Sequence, residues 1–292
     1  MSWREGYSEI VQIGHGAFGR VFAATAGDRV ALKVIPSSLG WMAVREAATL
    51  RALVGAPSTP VLLGYFKADS HVLEMPLYGP TTYSSLCASG FVGLEHDAVA
   101  AVAADVSAAL AFAHARAYIH CDVKPENILA TVDGYVLADW GNASVAPKAG
   151  TYMQSRYYRA PEVALGRPPT SAIDMWSLGC VIRELLTGHP VFKCKRGDVA
   201  NTIADVLPTM RFVGASGAFV KACLVYEDRL TAAAAVVHPF TAWRPRGTPA
   251  RAGSPASPRR GPPCARSPGT DVALSDAQPP TTGGGRQRCS QQ

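Results

Sequence analysis

An α+β chain, with strands gathered near the N-terminus and helices beyond them, is what this sequence predicts, and three observations carry the expectation. From Tyr7 to Gly14 the residues alternate roughly as a strand does, and after a glycine-rich stretch a second strand-like run continues to Ala24. From His96 to Ala117 the sequence is alanine-rich, with apolar residues at helical spacing. Val44 to Leu50 carries a shorter helical pattern. With 292 residues and 48% hydrophobic content, the chain can bury one large core or two modest lobes.

The seven cysteines, at 87, 121, 180, 194, 223, 264 and 289, lack the short paired spacing that zinc requires. No secretory signal is apparent, so a reduced, intracellular protein of the cytoplasm or nucleus is expected. The longest apolar run, Ala98 to Ala113, is interrupted by Asp105 and too short to span a bilayer, which predicts a buried helix and no membrane partner. The formal charge of +6 is unevenly placed: residues 244–292 hold eight Arg and two Asp, while 20 basic and 20 acidic residues cancel over residues 1–243. Rich in Pro, Gly, Ser and Arg, this tail cannot offset its ordering entropy, and disorder is expected. A basic tail suits nucleic acid, an acidic partner or an import receptor; a solvated appendage is the plainer reading, and direct nucleic-acid binding is not predicted.

His120-Cys121-Asp122-Val123-Lys124-Pro125-Glu126-Asn127 concentrates the chemistry. A carboxylate, a lysine two residues on and an asparagine five residues on can converge from one tight loop where phosphate is transferred. Asp122 would orient the attacking hydroxyl and accept its proton, Lys124 would meet the phosphoryl oxygens, and Asn127 would offer a neutral oxygen to Mg²⁺. Taken alone, an Asp-Lys-Asn loop is equally a solvated turn. This stretch resembles the protein kinase catalytic loop, in which an Arg usually precedes the Asp; here that position is Cys121. Asp139-Trp140-Gly141 resembles the family's Asp-Phe-Gly, which would make Asp139 the second and stronger Mg²⁺ ligand. The resemblance implies a bilobal fold, with a small β-rich N-lobe and hinge over residues 1–76, a larger helical C-lobe over 77–243, and the tail at 244–292.

Gly14-His15-Gly16-Ala17-Phe18-Gly19-Arg20-Val21 fits the same family. Glycines at that spacing let a hairpin close over the phosphates of ATP with backbone N–H groups inward, and Phe18 at the tip would shield the site from water. A dinucleotide-binding fold would place a helix after these glycines, whereas Val21-Phe22-Ala23 continues as strand. By resemblance Ala31 roofs the adenine ring, Lys33 reaches the α- and β-phosphates, and Glu46 is the partner of Lys33. Glu46 comes thirteen residues after Lys33, a gap shorter than the family usually shows, so the lead into the helix must be cut down. His71 to Pro76 resembles the fifth strand and hinge, where Leu73 borders the adenine pocket and Glu74 offers its carbonyl to the adenine amine. Pro76 has no N–H with which to bind the ring. Leu129 would lie beneath the adenine.

Gly150 to Glu162, containing Thr-Tyr-x-Gln-Ser-Arg-Tyr-Tyr-Arg-Ala-Pro-Glu, resembles the activation segment of the CMGC group, which holds the cyclin-dependent, mitogen-activated and dual-specificity Tyr-regulated kinases. With Ala172 to Ile182 it looks nearest the homeodomain-interacting kinases, which also lack the Arg before the catalytic Asp. The resemblance makes Tyr152 an autophosphorylated tyrosine with Arg156 as its charge partner, Asp174 a cap on the catalytic loop, and Glu162 the partner of Arg229. Only 36 residues separate Phe192 from Arg229, which leaves no room for the helical insert of this group. The expected function is a monomeric Ser/Thr kinase using ATP and Mg²⁺ on protein substrates, with Pro after the target residue as in related enzymes. A kinase-shaped scaffold without turnover is the alternative, suggested by Cys121, Trp140 and Pro76.

Overall fold

A computed structural model describes residues 2–16, 19–151, 153–195 and 198–242. The tail, Ala17, Phe18 and Tyr152 lie outside the described residues. The first part is a five-stranded antiparallel sheet in the order β1-β2-β3-β5-β4, formed by β1 (Ser8–His15), β2 (Arg20–Ala26), β3 (Asp28–Pro36), β4 (Gly64–Lys67) and β5 (Ser70–Pro76). Helix α1 (Gly40–Ala52) follows β3 after a single 3-10 turn at Ser37–Leu39. That short lead brings α1 against the sheet so closely that a Cβ on Gly40 would run into the His71 ring, so glycine is required where the helix starts. His71 is itself fixed by the Tyr65 hydroxyl, 2.7 Å from Nδ1.

Beyond β5 the chain is helical. It forms α2 (Thr82–Ala88), α3 (His96–His114), a small hairpin of β6 (Ile128–Ala130) and β7 (Tyr135–Leu137), then α4 (Pro161–Ala164) and α5 (Ala172–Thr187). Helices α6 (Val199–Val206), α7 (Gly214–Cys223), α8 (Ala232–Val236) and α9 (Pro239–Ala242) complete it. Val99, Val102, Val106, Ala109, Leu110 and Ala113 are fully buried at helical spacing, which places α3 at the centre of the helical part.

Helix α3 is longer than the apolar run in its sequence. At 19 residues it is long and apolar enough to cross a membrane, contrary to the sequence-based length argument; its burial against α5, α8 and α9 is what marks it as a core helix. Asp105 within it is buried and accepts the Tyr135 N–H at 2.9 Å, so its charge anchors the β6–β7 hairpin.

Two apolar clusters hold the fold. Trp3, Phe22, Leu32, Val34 and Val72 pack on one face of the sheet. Ile35, Ala43, Ala47, Leu50 and Leu73 belong instead to the same contiguous core as α3 and α5, so α1 is packed into the mass that carries the catalytic loop. Between Phe192 and Arg229 the described chain forms only α6, a 3-10 turn and α7.

Candidate active site

Two clusters meet at the cleft below the sheet. The first is assembled from three distant segments: Lys33 Nζ donates to Glu46 Oε1 and Oε2 at 2.8 and 2.6 Å and to Asp139 Oδ1 at 2.6 Å. Burial presses the ammonium pKa down, but the carboxylates of Asp139 and Glu46 outweigh it and raise the value above that of a free lysine. Burial alone would raise the pKa of Asp139, and Lys33 outweighs it, holding the carboxyl down at about 2. Glu46 goes the other way, because burial outweighs its pairing with Lys33 and pushes the carboxyl up. Lys33 therefore stays charged and Asp139 stays anionic at neutral pH.

The second cluster lies within one loop. Asp122 Oδ2 accepts Lys124 Nζ at 2.7 Å, and Asn127 Nδ2 donates to the Asp122 carbonyl at 2.8 Å. With its nitrogen so engaged, Asn127 keeps its amide oxygen as acceptor, and Asp139 keeps Oδ2. One neutral oxygen and one carboxylate oxygen form a hard donor set that fits Mg²⁺, which takes only one or two protein ligands and completes its shell with water and phosphate oxygens. Among the described residues no group of three or more His, Cys, Asp or Glu side chains forms a protein-only cage.

The loop is clamped from below. Buried Asp174, near the start of α5, accepts the N–H groups of His120 and Cys121 at 2.8 and 2.9 Å, and its Oδ2 lies 2.9 Å from His114 Nε2. This carboxylate holds Cys121 in a left-handed conformation, φ +65°, unfavourable for a residue with a side chain. The Cys121 thiol is buried, and burial followed by the nearby Asp174 and Asp122 raises its pKa well above that of a free thiol. His120 receives the Asp122 N–H on Nδ1 at 3.2 Å, so its Nε2 carries the proton facing the Ala138 carbonyl at 3.0 Å. Trp140 stacks edge-on to His120, fully buried, and donates its indole N–H to the Leu137 carbonyl at 2.8 Å. The Trp substitution is thus accommodated without an orphaned polar group.

Of the nucleotide-contact candidates, Gly14 and His15 end β1, Val21 pairs with Lys33 across β2 and β3, and Gly16 donates its N–H to the Gly19 carbonyl at 2.9 Å, closing the hairpin base. Ala31 is buried in β3, and Leu129 is half-buried in β6. Glu74 departs from expectation: its carbonyl accepts the Leu63 N–H at 2.8 Å, because β4 and its lead-in pair with β5 there. The oxygen expected for the adenine amine has only its second lone pair to offer. Its side chain accepts the Tyr7 hydroxyl at 2.9 Å, and burial followed by that bond pushes the Tyr7 pKa up to about 12.

Three chain segments decide the family. The protein kinase domain model matches residues 7–241, spanning the lysine strand, the catalytic loop and the activation segment. The chain belongs to the protein kinase family. A probable dual specificity protein kinase YAK1 homolog of Encephalitozoon cuniculi is 34% identical over 201 residues, covering 65% of this chain and 50% of the relative. The human dual specificity tyrosine-phosphorylation-regulated kinase 4 is 34% identical over 201 residues, covering 64% of this chain and 39% of that one. The chain thus spans half or less of the length of these curated relatives, which fall in the CMGC branch that the activation segment suggests. The crystal structure of a kinase domain superposes with a TM-score of 0.72 at 21% identity, over 82% of this chain and 98% of that one, which shows the bilobal α+β kinase fold.

Two functional contacts escaped the sequence reading. Ser155 donates its N–H and hydroxyl to Asp122 Oδ1 at 3.1 and 2.8 Å, and its oxygen receives Lys124 Nζ at 3.2 Å. The activation segment is therefore bonded directly to Asp122. Arg45, beside Glu46 on α1, donates Nε to the Gly141 carbonyl at 2.8 Å, with Nη2 also on that oxygen. A charged residue flanking Glu46 was the available signal for Arg45; nothing in the spacing marked Ser155.

Proposed function

We propose that this chain is a Ser/Thr protein kinase that transfers the γ-phosphoryl group of ATP to protein hydroxyls. The observation that carries the reading is the convergence of both clusters: Lys33 bonded to Glu46 and Asp139, and Asp122, Lys124 and Asn127 gathered in one loop. Phosphoryl transfer asks mainly for positioning and charge neutralisation, which this set supplies. Lys33 would bind the α- and β-phosphates, with Glu46 fixing its reach. Asn127 and Asp139 would hold Mg²⁺, which neutralises phosphate charge when bound. Asp122 would orient the substrate hydroxyl and take its proton at a carboxylate oxygen, while Lys124 meets the transferring phosphoryl oxygens.

Pro after the target residue is supported by the activation segment. Gln154 has φ +59°, and Arg159 Nη2 takes its carbonyl at 2.9 Å. Gln154 adjoins Ser155, which is bonded to Asp122, so a substrate hydroxyl brought to Asp122 would carry its backbone past Gln154. An acceptor already engaged offers little to a substrate N–H, and proline has none to satisfy. Autophosphorylation on Tyr152 is proposed from the resemblance and from Arg156, which is buried without a carboxylate partner among the described residues. With Cys121 in place of Arg, activity would depend less on an upstream kinase.

The alternative is a scaffold without turnover; the two bonded clusters favour transfer over it. Steady-state transfer of labelled phosphate from MgATP to a generic basic protein tests the proposal. Transfer abolished by Asp122→Asn is expected; nucleotide binding with no transfer by the unmodified chain overturns it.

A further inference from the structure

A second concavity is lined by none of the residues of the active site. The last turns of α5, the segment leading into α7, and α7 itself enclose a cleft of about 280 Å³. That is below the roughly 300–1,000 Å³ of pockets that enclose drug-sized ligands, and suits a few side chains of a peptide. Leu186, Phe212 and Val220 give it an apolar lining, Ser216 a hydroxyl, and Arg183 and Arg211 two guanidinium groups. The wall is closely built: Phe212 lies so near α7 that a Cβ on Gly217 would come within 2.7 Å of the Phe212 carbonyl carbon. Val213, 82% exposed, extends the apolar surface at the rim.

The arginines are the informative part. No carboxylate lines the cleft, and neither guanidinium has an ion pair or hydrogen-bond partner among the described residues. Two like charges converging on an apolar surface, each with five unused donors, match a carboxylate presented beside an apolar side chain. We propose that this cleft docks a short segment of a partner protein in which Asp or Glu adjoins a large aliphatic or aromatic residue.

Charge decides against other occupants. The chain's own residues 244–292 carry eight Arg and two Asp, so the cleft would repel them. Basic and acidic residues balance over residues 1–243, so this part of the chain has no net positive charge to draw a nucleic acid. Because the proposal uses no catalytic residue, it stands or falls independently of phosphoryl transfer.

The test pans a random dodecapeptide phage library on the full chain, counter-selects on the Arg183→Gln/Arg211→Gln variant, and measures fluorescence anisotropy with the enriched peptides. The expected result is enrichment of Asp or Glu next to Leu, Ile, Phe or Met. Binding should weaken at least tenfold with the double variant, and equally with Gln replacing the peptide's acids, while the variant's thermal midpoint stays that of the parent. Four results would overturn the proposal: no enriched sequence, enrichment without acidic residues, equal binding to the variant, or displacement of the peptide by a single-stranded oligonucleotide at lower concentration.

Discussion

The two charged clusters of the cleft reach the same end by opposite routes. Asp122, Lys124 and Asn127 come from one six-residue stretch clamped by Asp174, whereas Lys33, Glu46 and Asp139 come from β3, α1 and the end of the β6–β7 hairpin. A local cluster is set once its loop folds. A long-range one holds only while α1 stays docked, so it is where activity can be gained or lost by moving a whole element. Arg45 is the visible tie, joining α1 to the Gly141 carbonyl two residues beyond Asp139.

Substitutions separate the two routes. Asp122→Asn should have the largest effect, lowering kcat by about 10³-fold or more while nucleotide affinity holds, because it removes the proton acceptor and leaves the loop's fold in place; rapid-quench phosphate transfer checks it. Glu46→Gln should cost about 10²-fold, with Lys33 left on Asp139 alone. Arg45→Ala should lower kcat by roughly tenfold, as expected for hydrogen bonds from a charged donor worth about 1.5 kcal/mol, and Arg45→Lys should recover part of it. If Arg45→Ala instead raised only the KM for a peptide, the docking role of α1 would be wrong.

The last effect is on stability rather than on rate and concerns α5, the helix that carries Asp174. Glu184 of α5 is buried, accepts the Tyr158 hydroxyl at 2.7 Å, and is pushed up to about 7 by burial. Its folded pKa lies above its unfolded value, so the protonated form is favoured by folding. The stabilisation is present below pH 4.5 and is lost as the pH rises through 7, in total on the order of 3 kcal/mol. Glu184→Gln should therefore be more stable than the parent at pH 8, with the advantage vanishing near pH 5; thermal melts across that range measure it.

What the sequence reveals follows the same divide. Asp122, Lys124 and Asn127 are legible from spacing, because the loop is short and its chemistry needs those types at those intervals. Lys33, Glu46 and Asp139 are legible only through resemblance, since no local pattern announces that residues 106 apart will share a proton-bearing contact. The hinge reading of Glu74 left out one neighbour: its carbonyl also accepts the Leu63 N–H, a partner that alternation cannot assign. The helical pattern read from His96 to Ala117 starts where α3 starts and overruns its end at His114 by three residues, since the chain turns out of the helix and reaches φ +62° at Ala117. Ser155 was hidden for a related reason, since its role exists only once the activation segment folds back onto Asp122.

The most direct measurement is the phosphorylation state of the chain after incubation with MgATP, read by mass spectrometry beside Lys33→Met and Asp122→Asn. Phosphate on Tyr152 is expected in the parent and none in either variant, since breaking either cluster should suffice. Phosphate persisting in one variant would contradict the joint requirement, and its absence from the parent, with nucleotide bound, would contradict catalysis itself.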